Sequence, residues 1–219
     1  MIKLVNVSKI YPDRGDSVVA LRNVDLEVNR GDFLGIVGPS GSGKTTLLSL
    51  MGCLLLPTGG EVVFDGESVS ALSEKERAVI RSRKIGFVFQ EIVLMEGLRV
   101  WENVVLPRAL AGERGSRELA GDMLGEVGLQ DKIDSRPAVL SFGQRKRVAI
   151  ARALVTDAPV ILADEPTGGL DRETAEAIFN ILVSANRERG KTVVFVTHDD
   201  YFAGKADRRM EIRDGKLVI

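Results

Sequence analysis

Apolar positions along the chain fall into short runs, and their spacing changes character twice. Leu26-Glu27-Val28 alternates apolar and polar residues, whereas Phe33-Leu34-Gly35-Ile36-Val37 is almost unbroken. Alternation suits a strand covered on one face, and an unbroken run suits a strand buried on both faces, as in a parallel sheet. Residues 1–37 therefore read mostly as strands. A helix is predicted over 44–54. A short strand, Glu61-Val62-Val63-Phe64, then ends at the turn pair Asp65-Gly66. Ser73-Glu74-Lys75-Glu76 has the spacing of a capping box, in which Ser and the Glu three residues on satisfy each other's backbone N–H groups. It opens a predicted helix that runs to about Arg83, and residues 84–89 read as a strand.

Residues 91–154 read as a helical insert punctuated by Gly112, Gly115, Gly128 and Pro137. Strand character returns from Pro159 to Ala163. A helix over 172–189 stops at Gly190, and Thr192 to Val196 is the next buried strand. Strands alternating with helices predict an α/β fold with a mainly parallel sheet.

Composition narrows the chemistry. The 219 residues are 44% apolar and 28% charged, ordinary for a globular chain of one large domain or two small ones. The 30 basic and 31 acidic residues nearly cancel, so no nucleic-acid partner is expected. One cysteine, Cys53, excludes an internal disulfide, and one histidine, His198, excludes multi-histidine metal sites. Cys53 and Trp101 read as packing residues. The N-terminus carries no signal-peptide core. The longest apolar stretch, Leu47 to Leu56, is interrupted by Ser49 and Gly52 and falls short of the ~18 residues of a spanning helix. The chain reads as soluble and cytoplasmic, with any membrane-spanning part supplied by another chain.

Gly38-Pro39-Ser40-Gly41-Ser42-Gly43-Lys44-Thr45 fits the P-loop pattern, with a buried strand before it and a helix after. Its glycines let backbone N–H groups curl around phosphate oxygens, and the helix aims its positive end at the same anion. Lys44 is placed to reach β- and γ-phosphates and Thr45 to ligate magnesium, with Thr46 beside them. A second constellation is Val160-Ile161-Leu162-Ala163-Asp164-Glu165, an apolar strand ending in two acids. On a parallel sheet, ligands sit at the carboxyl ends of strands. Asp164 there would hold magnesium through a water, and Glu165 would orient or deprotonate the attacking water.

These residues and several others resemble the nucleotide-binding subunit of an ATP-binding cassette (ABC) transporter. Leu140-Ser141-Phe142-Gly143-Gln144 is similar to the family's Leu-Ser-Gly-Gly-Gln signature. Gln90 matches the Q-loop, Gly168-Gly169-Leu170-Asp171 the D-loop, and His198 the switch histidine. Tyr11 sits where the family places an aromatic residue that stacks on adenine, although the polar stretch after it reads as a loop. The motifs follow one another in the family's order from Tyr11 to His198.

The resemblance implies a P-loop NTPase core with an antiparallel β subdomain and a helical subdomain. It divides one domain, 1–219, into a catalytic core (1–90 and 155–219) and a helical part (91–154). It also implies MgATP as substrate and a head-to-tail dimer, homodimeric or paired with another ATPase subunit. Each ATP would lie between the P-loop of one chain and the signature of the other, with Ser141 and the Gly143 amide on the γ-phosphate. His198 would touch the same phosphate and Gln90 the magnesium or water.

Two positions depart from the pattern. Phe142 replaces the signature's first glycine, and Gly169 stands where the subgroup often has Asn. Hydrolysis is expected to be intact but tuned by Phe142. The basic run Arg145-Lys146-Arg147 reads as a solvated helix face, with Arg147 where the family usually has Arg. Glu102 to Pro107 and Ala163 to Gly168 are similar to the lipoprotein-releasing, macrolide-export and cell-division group. That group implies a separate transmembrane permease, with attachment to the inner face of the membrane through it. Ile92-Val93-Leu94-Met95 fits either a docking patch for that partner or the core of the helical part. Two other functions stay open. One is an ABC-type ATPase not coupled to a membrane, and the other is a nucleotide-gated interaction module with weak hydrolysis.

Overall fold

The computed structural model describes residues 1–13 and 16–218. The chain builds two sheets. The first is antiparallel and is formed by β1 (Ile2–Asp13), β2 (Asp16–Val28), β4 (Gly59–Phe64) and β5 (Glu67–Ser68), in the order β2-β1-β4-β5. Asp65 and Gly66 both take positive φ, the conformation that a two-residue hairpin needs to match strand twist. The stretch after Tyr11, expected as a loop, instead continues β1, with Tyr11 paired to Val18 and Pro12 to Ser17.

The second sheet has six strands in the order β10-β9-β3-β8-β7-β6. Its centre is β3 (Phe33–Val37), β8 (Thr192–Thr197), β7 (Val160–Asp164) and β6 (Ile85–Val88), all mutually parallel. β9 (Arg208–Arg213) adds in parallel, and β10 (Lys216–Val218) closes the edge antiparallel to β9. Every residue of β3, β7 and β8 is buried, which explains their unbroken apolar sequence.

Helices cover both faces. α1 (Lys44–Met51) ends three residues before the predicted limit, at Gly52. A Cβ at Gly52 would meet the Phe87 ring at 2.3 Å, so the chain passes there only as glycine. α2 (Glu74–Lys84) opens with the expected capping box: Ser73 N–H donates to Glu76 Oε2 at 2.7 Å. α3 (Val100–Leu110), α4 (Arg117–Glu126) and α5 (Phe142–Leu154) form the helical region. α6 (Arg172–Arg187) stops two residues short of the predicted end, and Gly190 takes φ +63° beyond it. A short α7 (Asp200–Ala203) follows β8.

Three apolar clusters hold this together. One joins α1 (Leu47, Leu50, Met51) to the antiparallel sheet, and each such side chain contributes about 1.5–3 kcal/mol on burial. The second packs α6 on the opposite face around Phe33, Phe179 and Phe195, with ring centroids 5.3–5.7 Å apart. The third fills the helical region. α5 belongs to two of them: Ile150 and Leu154 face the sheet cluster, Val148 and Ala151 the helical one. The signature helix is therefore anchored to the sheet. No helix among the described residues is long and apolar enough to cross a membrane.

Candidate functional site: a phosphate cleft at the strand ends

The parallel register brings the chemistry together. Val37 pairs with Thr197 and Asp164 with Val196, while Val88 pairs with Ala163. The P-loop, His198, the Asp164-Glu165 pair and Gln90 thus all emerge at the carboxyl ends of adjacent strands. They border one cleft of about 950 Å³.

The P-loop is built by close approach. A Cβ at Gly38 would meet Ile212 O at 2.3 Å and Ser42 Oγ at 2.7 Å. Gly43, the residue before α1, takes φ +103°, and a Cβ there would lie 2.4 Å from Ala20 O. Pro39, Ser40, Gly41 and Thr45 are exposed, whereas Ser42 and Lys44 are buried. Lys44 Nζ donates to Gly38 O at 2.7 Å and Pro39 O at 2.9 Å, and stands 3.9 Å from Glu165 Oε1. The ammonium is thus folded back into its own loop.

Asp164 is 4% exposed, and its Oδ1 has no partner. Burial raises its pKa above the ordinary carboxylate value. A hydrogen bond from Thr45 opposes this, Glu165 adds to it, and Lys44 and Lys146 pull it back. A buried carboxylate oxygen left without a protein partner beside a hydroxyl suits a cation. Thr45, Asp164 and Gln90 offer only oxygen ligands, the hard donors that magnesium takes. No group of three or more His, Cys, Asp or Glu that could hold a metal occurs among the described residues.

Glu165 sits in the left-handed backbone region at φ +46°, a placement that costs on the order of 1 kcal/mol or more for a side chain of its kind. Its N–H donates to Val196 O at 3.0 Å, its carbonyl accepts from Gly168 N–H at 3.1 Å, and its Oε2 lies 2.9 Å from His198 Nδ1. The carboxylate is 9% exposed and the imidazole 67%, so the histidine forms the solvent side of the pair. Gln90 is exposed at the rim.

Tyr11 lies outside the cleft wall, half-buried, with Oη 3.4 Å from Thr46 Oγ1 and Lys9 Nζ over its ring at 5.3 Å. Val18, Val19 and Ala20, which the sequence did not single out, line the cleft nearby.

Ser141, Gly143 and Gln144 stand apart from the cleft wall. Ser141 Oγ accepts from Gln144 N–H at 3.3 Å, and Gln144 Oε1 accepts from Ser141 N–H at 3.0 Å, so the start of α5 caps itself. Asp171 caps α6 in the same way, accepting from Thr174 N–H at 3.0 Å. Phe142 is 51% exposed and does reach the cleft, with its Cε1 3.3 Å from where a Gly169 Cβ would be.

One expectation is overturned. Lys146, read as part of a solvated basic face, is 1% exposed. Its Nζ donates to Glu165 O at 2.8 Å and Gly168 O at 2.7 Å, and burial pushes its pKa down to about 8 against the pull of Glu165 and Asp164. Helical spacing accounts for it: Lys146 shares a face with the buried Ala149, Ile150 and Ala153 at i+3, i+4 and i+7. Arg147 Nη1 donates to Val127 O at 3.2 Å. Cys53 and Trp101 do pack, the first in the cluster between α1 and the antiparallel sheet and the second in the helical cluster. In the run 92–95, Leu94 is buried in the helical cluster while Val93 and Met95 are exposed, so the stretch serves core and surface at once.

Comparison with known proteins places this geometry. The ABC transporter family model matches residues 21–168, more than half of the chain. The chain belongs to the ABC transporter family. As a member it is an ATP-binding and ATP-hydrolysing cassette with magnesium as cofactor. The cassette is 43% identical to a lipoprotein-releasing system ATP-binding protein LolD of Caulobacter vibrioides, covering 100% of this chain and 94% of that one. It is 44% identical to the macrolide export ATP-binding/permease protein MacB of Syntrophobacter fumaroxidans, covering 99% of this chain and 31% of that protein. The chain thus spans about a third of the length of the macrolide-export relative and nearly all of the lipoprotein-releasing one. A solved dimeric ATP-binding cassette in a post-hydrolysis state, bound to ADP and Pi, superposes with a TM-score of 0.94 at 43% identity, over 100% of this chain and 97% of that one.

Proposed function

We propose that this cassette pairs head to tail with a second cassette, identical or not, around two MgATP, and drives a membrane-embedded transport or release complex. The observation that carries this is the incompleteness of the cleft. P-loop, Asp164, Glu165 and His198 are assembled in it, while Ser141 and Gly143 lie outside it, at a helix start whose free N–H groups suit a γ-phosphate. A second chain's signature would complete the site. The lipoprotein-releasing and macrolide-export relatives support the membrane partner, which would hold the cassette at the inner, cytoplasmic face.

In this proposal Lys44 exchanges the Gly38 and Pro39 carbonyls for β- and γ-phosphate oxygens, leaving Glu165 free of its nearest cation. Glu165 then accepts a proton from the attacking water, and His198, hydrogen-bonded to it, fixes the carboxylate and contacts the γ-phosphate. Thr45 and Asp164 would hold magnesium, with Gln90 at its rim; the ion supplies charge neutralisation on the phosphates. Pro39 to Thr46 surround the phosphates, and Tyr11 stacks on adenine. Asp171, Ser141, Gly143 and Gln144 serve the opposing nucleotide. The catalytic core is 1–90 and 155–219, and 91–154 is the helical part that meets the membrane protein.

Affinity capture from native membranes with the Glu165→Gln protein and MgATP tests the membrane role. Co-purification of a multi-span membrane protein supports it. Recovery of soluble partners alone, from intact membranes, refutes it.

A further inference from the structure

We infer that Lys146 is a positioning residue for catalysis, holding the backbone of Glu165 in its left-handed conformation from the signature helix of the same chain. Four observations converge. Glu165 is one of the few non-glycine residues at positive φ, and it is held there by a short turn whose Gly168 N–H donates to Glu165 O. Lys146 Nζ donates to the first and last carbonyls of that turn, Glu165 O at 2.8 Å and Gly168 O at 2.7 Å, so one ammonium ties its two ends together. The Phe142 ring sits 5.6 Å from the same nitrogen and against Gly169, roofing the turn. Finally, Lys146 is 1% exposed, and the two carbonyls satisfy an ammonium that burial would otherwise penalise.

The consequence is mechanical. α5 is capped by Ser141, the residue proposed to meet the opposing γ-phosphate. A rigid link from α5 to the Glu165–Gly168 turn makes the base on one nucleotide responsive to occupancy of the other. Phe142 and Gly169, the two departures from the family pattern, both belong to this link.

With Glu165 taken as the base proposed above, Lys146→Met removes both donors and keeps the aliphatic stem. MgATP turnover is expected to fall by about tenfold or more, with KM changed by less than about twofold, because the base is misplaced while the phosphate cradle is intact. Lys146→Gln, which keeps an N–H donor on a stem one atom shorter, is expected to recover only part of kcat. Hydrogen exchange of amides in 164–170 is read in parallel on the nucleotide-free chain, and Lys146→Met is expected to accelerate it locally. That measurement needs no turnover, and if the Met variant does not fold it is made on Lys146→Gln, where exchange intermediate between destabilised and native is expected. Wild-type kcat in Lys146→Met, or native exchange across 164–170 in the folded variant, overturns the inference. Glu165→Gln is the control that separates the two claims. If it abolishes turnover while Lys146→Met does not, the base stands and the positioning role falls. If it retains turnover, the assignment of the base falls and the exchange data alone decide the role of Lys146.

Discussion

Phe142 and Gly169 each depart from the family pattern, and they touch, so their effects on stability should not add. Gly169→Asn places a side chain at φ +74°, which Asn tolerates at a cost of several tenths to about 1 kcal/mol. It also puts a Cβ 3.3 Å from Phe142 Cε1 and 3.7 Å from Cζ. The ring must then give by a few tenths of an ångström. Because Phe142 is half-exposed and can swing, that displacement sits at the low end of overpacking costs, about 1 kcal/mol. Phe142→Gly alone loses the ring's contacts with Gly169 and Lys146. In the Phe142→Gly background the contact penalty of Gly169→Asn vanishes and only the backbone cost remains. The expected coupling is about 1 kcal/mol in favour of the double variant, or a difference of roughly 2–4 °C in Tm. Urea unfolding of the four nucleotide-free proteins measures it. Additivity within about 0.3–0.5 kcal/mol would refute the claim that the two positions are one coupled substitution. Steady-state turnover on the same four proteins reads the expectation that Phe142 tunes hydrolysis. A wild type without turnover, rescued by Phe142→Gly, contradicts it.

Other outcomes follow from the same geometry. Ser141→Ala removes the cap of α5 and should cost about 1 kcal/mol in thermal unfolding of the free chain; an unchanged Tm would show that the cap is idle. Asp164→Asn should stabilise the metal-free chain at neutral pH while lowering MgATP turnover by roughly 10²-fold or more. The sign is set by the raised pKa of Asp164. As pH climbs from the ordinary carboxylate value to the raised native one, the unfolded chain sheds its proton first, so wild-type stability falls over that window. Asp164→Asn should flatten that slope, and a slope unchanged in the variant's urea-unfolding profile contradicts the buried charge. Cys53 is 1% exposed, with its thiol pushed up to about 11 by burial. At pH 8 its thiolate is scarce, and labelling by a disulfide reagent should be about 10²-fold slower than in the urea-unfolded chain. Equal rates would place it at the surface.

The fold was readable where burial is symmetrical and local. β3, β7 and β8 are buried on both faces, so their apolar runs announce them, and Gly38 and Gly43 of the P-loop mark a backbone packed too closely for a side chain. The capping box at Ser73 needs only four residues to be seen. What eluded sequence reading depends on tertiary contact. Lys146 looks like its basic neighbours Arg145 and Arg147 unless its helical face is traced to Ala149, Ile150 and Ala153, and only the turn beyond β7 supplies its acceptors. The need for glycine at position 52 depends on Phe87, distant in sequence, pressing on it. Val18 to Ala20 carry no chemical signature; the β1–β2 pairing brings them to the cleft. Tyr11 matches a motif position, yet it stands in the β1–β2 ladder opposite Val18, a strand continuation that its polar surroundings did not suggest.

The pairing of two cassettes around MgATP is tested most directly by molar mass. Light scattering on the Glu165→Gln protein, with and without MgATP, is the measurement. A shift from one chain to two that requires both ATP and magnesium, and that is lost in Glu165→Gln/Ser141→Arg, is the predicted result. A single-chain mass at saturating MgATP, with nucleotide bound, would contradict the account.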